Sequence, residues 1–128
     1  MPVAPIFAAV FALIYIILSL GVIGHRKNKR ISRGDGDDRD LAVAIRVHAN
    51  FIEYVPLAII LLWFLETIAY EKTLTFILAS VLVVARLLHV AGMRNPKQYL
   101  ILRQIGVVAT LSVILLAAGR LLWQYTPL

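Results

Sequence analysis

Arg46, Asn50 and Glu53 recur four and three residues apart, the spacing that places side chains on one face of an α-helix. At about 100° per residue they fall at 0°, about 40° and about −20°, a polar stripe two turns long. Tyr54 flanks it at about 80°, and His48 points to roughly the opposite face. The surrounding residues are apolar, which makes the stripe costly: an ionisable group at the centre of a membrane span carries about 2.5–3.5 kcal/mol on insertion scales and faces a bundle interior or a polar cavity. Two further arginines, Arg86 and Arg103, sit in other apolar runs, and His89 shares a helix face with Arg86. Counting about 1.5 Å per residue from the basic ends of these runs puts Arg46 at ~8 Å, Arg86 at ~10 Å and Arg103 at ~8 Å, with Glu53 deeper at ~18 Å. One carboxylate cannot neutralise three guanidinium groups held at one level. The constellation calls for an anionic ligand with a carboxylate or phosphate that arginine forks can grip.

Four elements must position these groups. Val3 to Gly24 is an uncharged run of 22 residues, followed by His25-Arg26-Lys27-Asn28-Lys29-Arg30. That polarity is the reverse of a cleavable signal peptide and predicts a first transmembrane helix over about 3–24. The segment from Ile31 to Asp40, with Gly34-Asp35-Gly36-Asp37-Asp38 at its centre, is the longest loop. Three more helices are predicted over about 41–65, 73–93 and 98–125, the last two separated by Asn95-Pro96-Lys97, where proline cannot continue a helix. Lys and Arg number six, one and two in the three loops, which places both termini on the extracytoplasmic side. The fold class is therefore an all-α integral membrane protein, a single domain over 1–128, multi-pass in the cell membrane.

Composition agrees. The 128 residues are 61% hydrophobic, well above the roughly 45–50% of soluble domains. That leaves room for about four spans of about 20 residues and for no separate soluble domain. The absence of Cys excludes disulfides and a protein-borne thiol nucleophile, so any sulfur chemistry needs a ligand that brings the sulfur. The net charge of +6 is concentrated beside a span and followed by four Asp. It reads as a topology signal that touches anionic lipid, not as a nucleic-acid arm. Arg94, Lys97 and Arg120 read as arginines and lysine snorkelling to the headgroups, and His48 as a packing or interfacial residue. No HExxH motif, phosphate loop or Ser/His/Asp triad occurs.

Arg46-Val47-His48-Ala49-Asn50-Phe51-Ile52-Glu53-Tyr54-Val55-Pro56-Leu57 resembles the second-helix signature of the MAPEG family, the membrane-associated proteins of eicosanoid and glutathione metabolism. The Gly34-Asp35-Gly36 loop, Ala85-Arg86-Leu87-Leu88-His89 and Leu102-Arg103-Gln104-Ile105-Gly106 look like its bacterial branch, so the resemblance covers nearly the whole chain. It implies a homotrimer with glutathione between neighbouring subunits. Arg46, Asn50, Glu53 and Tyr54 would hold the tripeptide, joined by Arg86 and His89, and by Arg26 at the end of the first helix. Arg103 matches the arginine that stabilises the thiolate. Met93 and Val107 stand where eukaryotic members carry tyrosine, so the ligand end of that pocket is expected to have a different shape.

Three functions compete on this reading. The first is a glutathione-dependent transferase or peroxidase acting on hydrophobic electrophiles or lipid hydroperoxides that arrive through the bilayer. The second is a non-catalytic lipid-binding or scaffold trimer. The third is a small multidrug exporter, which the arginine-rich stripe disfavours because an exporter of cations needs its intramembrane carboxylate unpaired. Glutathione or another low-molecular-weight thiol would serve as co-substrate, and no nucleic-acid partner is expected.

Overall fold

A computed structural model describes residues 1–126, apart from the side chains of Pro96 and Gln98. It consists of four helices in chain order: α1 (Ala4–Lys29), α2 (Arg39–Thr67), α3 (Lys72–Arg94) and α4 (Pro96–Tyr125). Each is long and apolar enough to cross a membrane, and no strand occurs among the described residues.

The hydropathy of the first run ends at Gly24, but α1 continues five residues further, to Lys29. Lysine and arginine are good helix formers, and cations favour the negative end of the helix dipole. The helix stops where Arg30 adopts a left-handed conformation, φ 56°, and the Ile31 amide donates to the Arg26 carbonyl at 3.1 Å. The connection to α2 is pinned at several points. Arg26 Nη1 donates to the Gly34 carbonyl at 2.8 Å. Gly36 has φ 57°, a left-handed conformation that favours glycine, and a Cβ there would stand 2.8 Å from Ile31 Cδ1, so the Ile31 side chain would have to move. Asp38 then caps α2, one carboxylate oxygen accepting from the Leu41 amide at 2.9 Å while the other pairs with Lys29 Nζ at 2.8 Å. The exposed Lys29 side chain and the Leu41 amide together hold the Asp38 carboxyl below the usual carboxylate range.

The other end of α1 is capped from a distance. Val3 offers no side-chain cap, but the buried carboxylate of Glu66 accepts from the amides of Val3 and Ala4, both at 2.6 Å. Glu66, just beyond the predicted end of the second helix, thus supplies the anion that a helix N-terminus favours.

Helix α2 is the hub: it touches the other three helices and buries Val47, Phe51, Val55, Ala58, Leu62 and Leu65 along one side. Helix α1 leans on α2, touches α3 more lightly and makes no contact with α4 among the described residues. Only Ala4 and Phe11 of α1 are fully buried, and most of its large apolar side chains point outward. The closest pairing is α3 with α4. A Cβ at Gly92 would run into the Arg103 backbone, and one at Gly106 would stand 2.6 Å from the Ala85 carbonyl oxygen and 2.8 Å from the His89 nitrogen. Small residues permit such close backbone approach between spans. Non-helical angles at Tyr99 (φ −123°, ψ 28°) kink α4 and offset its first turn from the rest.

Candidate functional site

Arg86 is 1% exposed, in the seam where α2, α3 and α4 meet. Its Nη2 donates to Asn50 Oδ1 at 2.5 Å and lies 3.4 Å from His89 Nδ1, and its Nη1 donates to Thr110 Oγ1 at 3.4 Å. The guanidinium carbon sits 6.0 Å from the centre of the Phe51 ring. Because arginine only donates, His89 must present a bare Nδ1 to it, and the imidazole proton of the neutral ring therefore sits on Nε2. The Thr110 hydroxyl donates to the Gly106 carbonyl at 2.8 Å, leaving its oxygen lone pairs free to accept from Arg86. Every one of these acceptors is neutral. Arg86 Nε has no partner at all, and no carboxylate pairs with the guanidinium among the described residues. A buried cation in this state lacks a counter-charge, and an anion from outside the chain would supply it.

The remaining expected residues divide around this centre. Tyr54 is half-buried and lines a narrow gap with Arg86, Val107 and Thr110, so it belongs to the same seam. Asn50 turns inward to Arg86, but Arg46 and Glu53, its neighbours on the stripe, stay exposed and form no ion pair among the described residues. Glu53 and Arg46 do not pair with each other within the subunit. A seven-residue separation aligns the two Cα positions yet leaves about two helical turns, ~10 Å, between them. Arg103 is likewise exposed, with its Nη1 leaning on Met93 Sδ at 3.9 Å. Its backbone lies directly against Gly92, one turn from the His89 region of α3. Arg26 spends a donor on the loop carbonyl of Gly34 and is not brought to the Arg86 cluster within the subunit.

His48 packs on α1, as its opposite-face position implies. Its Nε2 is 2.9 Å from Ser19 Oγ and its ring centre is 5.3 Å from that of Tyr15. The Ser19 hydroxyl donates to the Tyr15 carbonyl, so His48 is the donor in this pair. Arg120 was expected to snorkel but is held by Glu71, through Nε at 3.0 Å and Nη2 at 2.7 Å, with Gln124 accepting from Nη1 at 3.0 Å. The sequence reading missed Thr110 and Phe51 as partners of Arg86. A signal for Thr110 exists: it is the polar member of the Gly106, Thr110, Val113, Ala117 series that forms the buried side of α4.

Four helices long and apolar enough to span, with a guanidinium buried among neutral acceptors and further charges on the outer faces, define a multi-pass membrane protein with a buried cationic cluster. The MAPEG family model matches residues 4–123, and the chain belongs to that family. It is 34% identical over 125 residues, 98% of this chain and 93% of the relative, to the inner membrane protein YecN of Escherichia coli strain K12. The same figures hold for the inner membrane protein YecN of the O6:H1 strain. No solved structure matches the chain.

Proposed function

We propose that this protein is a glutathione-dependent transferase or peroxidase of the inner membrane, working as a homotrimer with both termini extracytoplasmic. The observation that carries the reading is the Arg86 guanidinium, buried among neutral acceptors with Nε unpaired. A carboxylate of the tripeptide is the counter-ion such a group lacks. Arg46 and Glu53, exposed on a spanning helix without partners, are then covered by a neighbouring subunit and by the ligand's charged ends. Asn50, Tyr54 and His89 orient the peptide from the α2–α3 side, and Arg26 reaches it from a neighbour's α1.

Arg103 acts on the sulfur. A free thiol titrates near about 8.5, and a guanidinium within about 4 Å favours its thiolate. The thiolate attacks a hydrophobic electrophile, forming a carbon–sulfur bond as the leaving group departs with its bonding pair, or attacks the distal oxygen of a lipid hydroperoxide, breaking the O–O bond to give the sulfenic acid of glutathione and an alkoxide that takes up a proton. A second glutathione then condenses with the sulfenic acid to give the disulfide and water. Substrate enters laterally from the bilayer, and the subunit cleft supplies proximity. Titrating bound glutathione by ultraviolet absorbance against pH tests this. Wild type is expected to show thiolate near neutral pH, whereas Arg103→Ala retains ligand but titrates at least one unit higher. Superimposable curves would overturn the catalytic role and leave the alternative, a non-catalytic anion- or lipid-binding trimer, which the neutral cradle around Arg86 would equally serve.

A further inference from the structure

Helices α1 and α3 meet at one end of the bundle, where the Phe7 and Phe76 rings stand 5.8 Å apart edge to face. Towards the basic end, Ser19 and His48 keep α1 on α2, and residues of α1, α2 and α3 line an opening. About 20 Å beyond the phenylalanine pair, the three helices border an open-sided cavity of about 490 Å³. This is within the roughly 300–1,000 Å³ typical of ligand pockets. It is amphiphilic. Leu18, Val47 and Val90 form an apolar floor, and His25, Arg39 and Arg94 stand on the lining from three different helices. Asp40 is the one carboxylate in the lining, so the two arginines leave a positive balance, and neither is engaged in an ion pair among the described residues. The lining shares no residue with the Arg86 cluster, and the cavity lies on the α1 side of the bundle.

We infer that this cavity binds one anionic phospholipid, its phosphate between Arg39 and Arg94 and part of an acyl chain on the apolar floor. Charge complementarity selects the anionic headgroup, and the opening at the basic end of the spans places it at headgroup depth. Gly21 belongs to the α1 wall, and a Cβ there would meet nothing within 4 Å. A larger side chain at this position can therefore fill the cavity without disturbing the helix packing.

The test uses the full chain in a non-ionic detergent, titrated with dioctanoyl phosphatidylglycerol, dioctanoyl phosphatidylcholine or inorganic phosphate, with native mass spectrometry and melting temperature as readouts. Wild type is expected to retain one phosphatidylglycerol per chain, to melt higher with it and to release phosphatidylcholine. Arg39→Gln/Arg94→Gln and Gly21→Leu are each expected to weaken retention at least tenfold. Gly24→Leu, also at an open glycine but outside the lining, is expected to leave it unchanged. Glutathione is expected not to displace the lipid. Equal retention of phosphatidylcholine, a full shift with inorganic phosphate alone, displacement by glutathione, or unchanged retention in the arginine variant would each overturn the inference. The arginine side chains are exposed, so that variant decides the matter even if Gly21→Leu fails to fold.

Discussion

Arg86 owes its position to Asn50, and the pair gives a direct measure of what the buried cation costs. A hydrogen bond to a charged group contributes about 1.5–3 kcal/mol. Asn50→Leu removes the 2.5 Å acceptor while keeping the volume apolar, and is expected to lower stability by about 2 kcal/mol. Unfolding in mixed detergent micelles checks this. Asn50→Asp is expected to act in the opposite sense on stability, because a carboxylate now faces the guanidinium, and to weaken binding of any anionic ligand at the same time. An aspartate variant that binds glutathione as tightly as wild type would mean that Arg86 is not the anion's partner. Helical periodicity made the polar stripe legible but not this pairing. On a helical wheel Asn50 and Glu53 differ by only about 60°. Whether the inward or the outward one meets Arg86 depends on how α2 is rotated against α3 and α4. The Glu66 cap was out of reach for a related reason, since its amide partners lie 63 and 62 residues away in sequence.

At the scale of elements, the helices themselves were legible because each apolar run is bounded by chemistry that stops a helix or a span: Gly34 and Gly36 on one side, Asn95-Pro96 on another. Their ends were less so, since hydropathy reports where lipid contact ceases and α1 outlasts it through good helix formers. The tight α3–α4 seam carries its own test. Gly106→Ala forces a methyl group into the Ala85 carbonyl and the His89 backbone and is expected to cost about 1–3 kcal/mol, the range for overpacking. Gly24→Ala meets open space and is expected to gain about 0.5–1 kcal/mol from helix propensity. Comparable melting temperatures for the two would refute the close approach. The α1–α2 connection has a pH signature. Its Asp38 carboxyl is held low by Lys29 and the Leu41 amide, so its contribution is fully present above the ordinary carboxylate value of about 4 and disappears as pH falls through the lower folded value. Limited proteolysis at residues 30–38 is expected to accelerate only below that ordinary value, and Asp38→Asn to cleave at one rate across the same range.

For the whole molecule, the decisive feature is the charge that a single subunit leaves uncovered. Arg46 and Glu53 start about 10 Å and 20 Å into α2, too deep for both to reach the headgroups by side-chain extension from one face. Each exposed to lipid would cost about 2.5–3.5 kcal/mol. Helix α1 adds an almost unbroken outward apolar face, and its charges, Arg26, Lys27 and Lys29, all lie in its last turn. Burying these groups against a second copy removes the exposure and brings further cations and carboxylates together around each site. Three copies are expected on family grounds, and native mass spectrometry in mild detergent should show the trimer as the main species. Glu53→Arg adds a third positive charge beside Arg46 and Arg86 and is expected to shift that population towards monomer, with glutathione binding lost in parallel. Glu53→Gln, which removes charge without reversing it, is expected to lower the melting temperature and weaken binding less severely. A wild-type protein that stays monomeric in lipid nanodiscs, where no detergent competes for the interface, would refute the assembly. The charges of α2 would then have to be covered by ligand or lipid alone.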